Sequence, residues 1–353
     1  MIHRSFGIER IDTAWERRSL VWLMGVRRSG KTTLAQGLPD IEYFDCDLAS
    51  ARRDLQDPES FLSSVRGKRV VLDEIHRLPD PAGLLKVAAD HFPDVRVLAT
   101  GSSTLQATSK FRDSLTGRKT EIWLTPMMSA DLEAFGGDLA RRLTRGGLPP
   151  FFLPQQLPVT DFQEWMDSYW ARDVQELFRV ERRPAFMKLL ELVVINSGGP
   201  FEATRYAGPC EVSRPTITNW LNVLEITKVV HVVRPFSSRR SREVVATPRA
   251  YAFDTGFVTE YRGWTNTRPD DFGVLWEHYV LNEINARLSH VDVGYWRTTS
   301  HQEVDFIVST HGRNPVAVEC KWSSANAGDL TGMRAFLSAY SEATGLMVAP
   351  DIT

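Results

Sequence analysis

Gly25, Val26, Arg27, Arg28, Ser29, Gly30, Lys31 and Thr32 stand in the spacing of a phosphate-binding loop, between an apolar run from Leu20 to Met24 and a stretch able to start a helix. The chemistry sets the residue types. Glycines let backbone N–H groups wrap an anion, Lys31 reaches the β- and γ-phosphate oxygens of a nucleotide, and the Thr32 hydroxyl can ligate Mg²⁺. Gly25, Arg28, Ser29, Gly30 and Thr33 are the further candidates to touch phosphate, where helix N-terminal amides converge on one anion. A chance match in a chain this long has a frequency on the order of 1%. ATP with Mg²⁺ is therefore the expected ligand, in preference to an ordinary glycine turn.

Downstream, Arg69-Val70-Val71-Leu72 reads as a short buried strand ending in Asp73-Glu74. A carboxylate at a strand's C-terminal end can hold the Mg²⁺ that Thr32 also touches, and the next carboxylate can orient the attacking water. Asp73 is the candidate metal residue and Glu74 the candidate catalytic one, working with Lys31. A second constellation lies in the last ninety or so residues: Glu277 in a helix from Val274 to Arg287, Asp305 in the alternating strand Glu303 to Val308, and Glu319-Cys320-Lys321 closing the strand from Val316. Asp305 and Glu319 on adjacent strands could share one Mg²⁺, with Glu277 completing the cluster and Lys321 activating a water for phosphodiester cleavage. The tripeptide alone arises by chance about once in a chain of this size. A salt bridge from Lys321 that holds the sheet is the other reading, since buried acids need partners.

These residues must be positioned by alternating strands and helices. Ile41 to Phe44, Arg69 to Leu72, Val95 to Thr100 and Glu121 to Leu124 read as strands, and Asp57-Pro58-Glu59-Ser60 as a helix start. Such alternation predicts an α/β fold with a mainly parallel sheet covered on both faces, the nucleotide sitting at the strands' C-terminal ends. Ser102 and Ser103, after the strand ending at Thr100, either touch the γ-phosphate or cap the next helix. Arg112 and Arg118 fall where ring-forming ATPases often present an arginine to a neighbouring subunit; solvated surface arginine is the alternative.

Gly146-Gly147-Leu148-Pro149-Pro150 breaks the pattern as a linker or lid turn. A helix is expected from about Thr160 to Phe178, its aromatic stripe reading as core. From Phe201 a short helix, a turn at Gly208-Pro209, a helix capped by Ser213 and ending near Ile226, and strands at Val229 to Val233 and Ala250 to Phe253 describe a winged helix. Arg214 and Thr216 open its second helix. Arg239, Arg240 and Arg242 make the hairpin basic, which suits either DNA phosphates or a soluble protein-docking tip.

With 353 residues, 42% hydrophobic and 24% charged, the chain has the composition of an ordinary soluble protein of two or three domains. Cys46, Cys210 and Cys320 are widely separated without a CxxC pair, which favours free thiols and a cytoplasmic location. No stretch approaches transmembrane length, so no membrane partner is expected. A formal net charge of −2 means that any nucleic-acid contact must come from a local patch.

The order of P-loop, Asp73-Glu74, Thr100-Gly101-Ser102-Ser103, Gly117-Arg118, Gly146-Gly147-Leu148-Pro149 and Tyr169-Trp170-Ala171-Arg172-Asp173 resembles a group of bacterial and archaeal AAA+ ATPases. Their C-terminal region, long known only as a domain of unknown function, combines a winged helix with a PD-(D/E)XK nuclease-like fold. Phe253-Asp254-Thr255-Gly256, Trp276-Glu277-His278-Tyr279-Val280, Tyr295-Trp296-Arg297-Thr298, Glu303-Val304-Asp305-Phe306 and Glu319-Cys320-Lys321 are similar to that region's motifs. The resemblance implies an ATPase core over 1–127, a helical lid over 128–185, a winged helix over 186–262 and a nuclease-like domain over 263–353. It implies ATP hydrolysis at Lys31, Thr32, Asp73 and Glu74, and a nuclease pattern at Asp305, Glu319 and Lys321. DNA and further copies of the chain, assembled as an oligomer or ring, are the partners it implies. The lid region offers no arginine that stands out as a phosphate contact.

Overall fold

The computed structural model describes residues 4–101, 113–155, 158, 160–178, 180–237, 247–288, 291–323 and 330–351. The chain forms two compact units. One comprises Met1–Leu139, Leu148–Arg179 and Ile226–Lys228, the other Ala140–Gly147, Val180–Glu225 and Val229–Thr353.

The first unit is built on β1 (Leu20–Met24), β2 (Ile41–Asp45), β3 (Arg69–Asp73), β4 (Arg96–Thr100) and β5 (Lys119–Trp123), in the order β2-β3-β4-β1-β5. All its pairings are parallel. Successive side chains of a strand point to opposite faces, so β1, buried along its whole length, must serve two cores. Leu20, Trp22 and Met24 join Val70, Leu72, Val97 and Ala99 beneath the helix Pro81–His91. Val21 and Leu23 join Val71 and Leu98 beneath the helices Ser5–Arg17 and Lys31–Gln36. Each large apolar side chain sealed in this way contributes about 1.5–3 kcal/mol. The expected doubly covered parallel sheet is therefore present. Its C-terminal edge brings together the ends of β1 to β4, with Leu23 opposite Thr100 and Asp45 opposite Asp73. In the same unit, the helix expected from Thr160 to Phe178 runs as Thr160–Tyr169, one π-helical turn at Trp170–Val174, and Gln175–Phe178.

The second unit carries a mixed sheet of β6 (Val230–Pro235), β7 (Arg249–Ala252), β8 (Asp292–Arg297), β9 (Glu303–Ser309), β10 (Val316–Cys320) and β11 (Thr344–Val348), in the order β11-β10-β9-β8-β6-β7. The helices Ala203–Ala207 and Arg214–Ile226 precede the antiparallel β6–β7 pair, which is the element order read from the sequence. That pair does not stand apart, however. Arg234 and Pro235 of β6 pair in parallel with Gly294 and Tyr295 of β8. The segments expected as separate domains, 186–262 and 263–353, thus share one sheet. Residues 140–147, expected in the lid, also belong to this unit.

Two sequence motifs meet there. The Asp254 carboxylate accepts the Gly147 N–H at 2.6 Å and the Gly256 N–H at 2.9 Å. Fully buried Arg142 donates to the Thr255 hydroxyl at 2.9 Å. Gly146 has φ +84°, and a Cβ there would lie 1.9 Å from Asp254 Oδ1, so only glycine fits.

Candidate functional site

At the end of β1 the chain turns through the phosphate-loop residues into the helix Lys31–Gln36, whose N-cap Gly30 is left-handed, with φ +94°. A Cβ on Gly25 would stand 2.6 Å from Ser29 Oγ and 2.8 Å from the Leu124 carbonyl oxygen. The backbone can therefore curl this tightly only with glycine at both positions. Arg28 also holds a positive φ of 63°, a local strain of the kind stored at functional loops. Lys31 Nζ folds back onto the carbonyl oxygens of Gly25 at 2.9 Å and Val26 at 3.2 Å. Burial lowers the Lys31 pKa, against the pull of Glu74, Asp173 and Asp73.

Arg4 braces the loop from the N-terminal helix side. Its guanidinium donates to Asp131 Oδ2 from Nε at 3.0 Å and from Nη2 at 2.7 Å, and its Nη1 donates to the carbonyl oxygens of Ser29 and Thr125. Ser29 is buried, and its Oγ finds no hydrogen-bond partner among the described residues. A buried hydroxyl left in this way beside a ring of amides fits an anion's oxygen as the missing partner.

The loop opens on a cavity of about 420 Å³. Around it Arg4, Arg27, Arg28, Lys31, Arg77 and Arg172 outnumber the carboxylates Asp47, Glu74 and Asp173, a balance suited to a polyphosphate. Phe135, Pro149, Pro150 and Leu153 supply apolar wall, and Thr32 and Thr33 open into the cavity from the first helical turn. This is the mixed character of a nucleotide pocket.

Asp73 ends β3 almost fully buried. Its Oδ2 accepts the Tyr43 hydroxyl at 2.6 Å, and its Oδ1 accepts a short hydrogen bond from the Thr100 hydroxyl. Thr100 Oγ1 in turn accepts the Glu74 N–H at 3.1 Å. Three neighbouring strands thus fix one carboxylate, and the geometry follows from the register that sets β2, β3 and β4 side by side. Burial and the Asp73 contact push the Tyr43 phenol pKa upward, so it remains a donor. Glu74 is left-handed, with φ 53°, and its carboxylate lies 3.1 Å from His76 Nδ1. Burial works to raise the Glu74 pKa, but the contact with His76 and the charges of Lys31 and Arg27 outweigh it and hold it below the ordinary value. A carboxylate kept ionised beside the phosphate end can accept a water proton.

The chain brings Gly25, Arg28, Gly30, Lys31, Thr32, Thr33 and Glu74 to one cavity, with Ser29 buried in the loop and Asp73 fixed behind it. Ser102, Ser103 and Arg112 lie outside the described residues. Arg118 immediately precedes β5, at the sheet edge opposite the loop, and pairs with Asp90 at 2.6 Å. Strand rise separates it from its own nucleotide pocket by roughly 15 Å or more. The lid also differs from expectation, because the π-turn directs Arg172 and Asp173 into the cavity. Tyr43 and Arg4 carried no local sequence signal. Thr100 and the Arg172-Asp173 pair sat in noted motifs, but without assigned roles.

In the second unit Glu277, Asp305, Glu319 and Lys321 are neighbours. Asp305 Oδ2 accepts the Cys320 N–H at 2.8 Å, Lys321 Nζ meets Glu319 Oε1 at 2.8 Å, and the Tyr251 hydroxyl donates to Glu277 Oε2 at 3.3 Å. Arg249 pairs with Glu303 through a short contact. Burial raises the pKa of Glu277 to about 7, that of Asp305 well above its ordinary value, and that of Glu319; repulsion from neighbouring acids adds to each, from Glu303 in the case of Glu319. Among the described residues, no group of three His, Cys, Asp or Glu side chains is arranged to hold a metal ion. Glu277, Asp305 and Glu319, expected as ligands of one Mg²⁺, stand together as a buried acidic cluster. One carboxylate oxygen of each acid is held by a protein donor, while Glu319 Oε2 is buried without a hydrogen-bond partner among the described residues. Arg214 and Thr216 stand at the start of their helix, Arg214 exposed and Thr216 bonded to Ser213. Arg239, Arg240 and Arg242 lie outside the described residues. The three cysteines are free and buried, and no described helix is long and apolar enough to cross a membrane.

Residues 17–132 match the family model of an AAA domain. Residues 136–268 and 272–351 match two models described as domains of unknown function (DUF8612 and DUF4143), whose junction falls between β7 and β8 of the shared sheet. The chain is 28% identical over 337 residues to uncharacterized proteins of Mycobacterium bovis and Mycobacterium tuberculosis, covering 92% of this chain and 75% of each relative. Among solved structures, the Walker-type ATPase of Pyrococcus abyssi superposes with a TM-score of 0.46 at 15% identity, over 74% of this chain and 96% of that one. The replication initiator DnaA bound to AMPPCP and single-stranded DNA gives 0.28 at 12% identity, over 62% and 87%. Scores this low add nothing to the assignment. The AAA match and the phosphate-loop geometry make the N-terminal part of the chain a P-loop ATPase domain of the AAA type.

Proposed function

We propose that the chain hydrolyses ATP with Mg²⁺ and uses the cycle to control a DNA-gripping second unit. The observation that carries the first half is the convergence of Lys31, Thr32 and Glu74 on one basic cavity, with Asp73 fixed by Tyr43 and Thr100. The glycine cradle and the unpartnered Ser29 hydroxyl fit the nucleotide's phosphates, and Thr32 with Asp73 would hold the ion. When bound, Mg²⁺ neutralises phosphate charge during transfer. Lys31 leaves the loop carbonyls for the phosphate oxygens, backbone amides hold the triphosphate in line, and Glu74 orients the water and accepts its proton.

For the second unit, the helix pair ahead of the antiparallel β6–β7 pair supports a winged-helix reading, with Arg214, Thr216 and the arginines Arg239, Arg240 and Arg242 of the basic sequence between those strands against DNA phosphates. DNA binding followed across a salt series tests this. Affinity falling steeply with salt, and weakened in Arg214→Ala, is expected; no binding at low salt would turn the reading toward a protein partner. Oligomerisation belongs to the same proposal, with Arg112 or Arg118 completing a neighbouring copy's site. Arg118→Ala and Glu74→Gln proteins should then regain hydrolysis when mixed, and unimpaired hydrolysis in both Arg112→Ala and Arg118→Ala rejects it.

A further inference from the structure

One helical segment grips the phosphate loop at a single residue, and does so twice. The indole N–H of Trp165 donates to the Arg27 carbonyl oxygen at 3.0 Å, while Arg27 Nε meets Asp173 Oδ2 at 3.2 Å. Trp165 stands in the helix Thr160–Tyr169 and Asp173 in the π-turn that follows it. Arg27 and Asp173 line the same cavity as Lys31, and both lie close enough to influence its charge.

This arrangement is chemically odd for a polyanion site. A carboxylate faces the place where phosphates would bind, and it engages one of the guanidiniums that should meet them. The Nε edge of Arg27, occupied by Asp173, is one of the edges arginine uses for bidentate contact with phosphate. Phosphate oxygens and Asp173 therefore compete for the same donors. Asp173 also rests on a π-turn, a backbone form found mostly as isolated functional bulges, so its release has a local element to act upon.

We propose that Asp173 is a built-in competitor for Arg27, displaced when a triphosphate binds, so that Arg27 becomes a phosphate contact and the 160–174 segment is released from the loop side chain. The inference rests on the nucleotide-binding reading of the phosphate loop. In the empty site Asp173 neutralises Arg27 and positions it. In the filled site the guanidinium turns its Nε edge to phosphate, and Asp173 loses its partner on the loop.

The test is titration of the full chain with a fluorescent, non-hydrolysable ATP analogue and Mg²⁺, using the unmodified protein, Asp173→Asn, Arg27→Ala and the double variant. Asp173→Asn should bind tighter, on the order of fivefold, and the gain should vanish in the Arg27→Ala background. Unchanged or weaker binding by Asp173→Asn, or a gain that persists without Arg27, overturns the proposal. Hydrogen exchange on the unmodified protein gives a check that needs no variant to fold. Protection within 160–174 should change on adding the analogue, and an unchanged pattern at saturation counts against the proposal. If the unmodified protein binds no nucleotide, the P-loop reading itself fails and takes this inference with it, whereas binding without the Asp173 effect removes only the inference.

Discussion

Replacing Glu277 by glutamine should stabilise the protein, and increasingly so as pH rises. Burial lifts the Glu277 carboxyl from 4.5 to about 7 in the folded chain, with Glu303 and Glu319 adding repulsion against the help of Arg249 and Tyr251. A folded-state pKa above the unfolded value means that the native state holds the proton longer. The associated stability is complete below the unfolded pKa and is lost as pH climbs through the folded one. Ionising Glu277 above about pH 7 therefore costs up to about 3 kcal/mol, since each tenfold change in proton affinity is worth about 1.4 kcal/mol. Glutamine stays neutral, and its carbonyl can still accept the Tyr251 hydroxyl. Relative to the unmodified protein, Glu277→Gln should gain about 2 kcal/mol between about pH 5 and pH 8, read from urea unfolding at both. A stability difference that is flat with pH would refute this account of the cluster. So would Mg²⁺ at millimolar levels raising the melting temperature of the unmodified protein at the higher pH but not that of Glu277→Gln, since the acids would then be metal ligands.

Other consequences are separable. Asp254→Ala removes the acceptor of two buried backbone N–H groups and should cost about 2–4 kcal/mol in urea unfolding; a loss below about 1 kcal/mol would mean that those amides find other partners. Gly146→Ala should be similarly damaging, because its Cβ would meet Asp254 at a left-handed backbone position. Tyr43→Phe should raise the Mg²⁺ concentration needed for half-maximal ATPase activity several-fold while leaving metal-free nucleotide binding unchanged, because it frees one oxygen of Asp73. An unaltered Mg²⁺ dependence would make the phenol contact merely structural. Under the DNA-gripping reading Asp305→Ala should leave DNA binding intact; Mg²⁺- or Mn²⁺-dependent cleavage of plasmid or single-stranded DNA that disappears in Asp305→Ala would refute that reading in favour of cutting.

What was legible in the chain was whatever its chemistry places within a few residues. The loop from Gly25 to Thr32 dictates its own turn, and the buried run into Asp73-Glu74 dictates a strand end. Contacts between strands were not legible. Tyr43 reaches Asp73, and Thr100 bridges Asp73 to Glu74, only because β2, β3 and β4 lie side by side in matched register, and nothing local to Tyr43 reveals that order. The same holds for Arg118, which precedes a strand as expected but at the edge away from the nucleotide. The β6–β7 pair was readable from its apolar runs, whereas its extension into β8 depends on two residues, Arg234 and Pro235, that carry no strand signal. For the acids, alternation along β9 and the approach to Glu319 placed Asp305 and Glu319 near one another. The donors that meet the cluster, the Cys320 amide at Asp305 and the Tyr251 hydroxyl at Glu277, come from the backbone and from a strand in another segment, and no local pattern announces them.

The central claim is that Lys31 and Glu74 run ATP hydrolysis in the cavity at the end of β1. Steady-state phosphate release from ATP with Mg²⁺, measured beside equilibrium nucleotide binding for the unmodified protein, Lys31→Ala and Glu74→Gln, tests it most directly. Glu74→Gln should bind ATP as well as the unmodified protein while its turnover falls by roughly 10²-fold or more, and Lys31→Ala should lose both. Hydrolysis at the unmodified rate in Glu74→Gln, or nucleotide binding undiminished in Lys31→Ala, would contradict it.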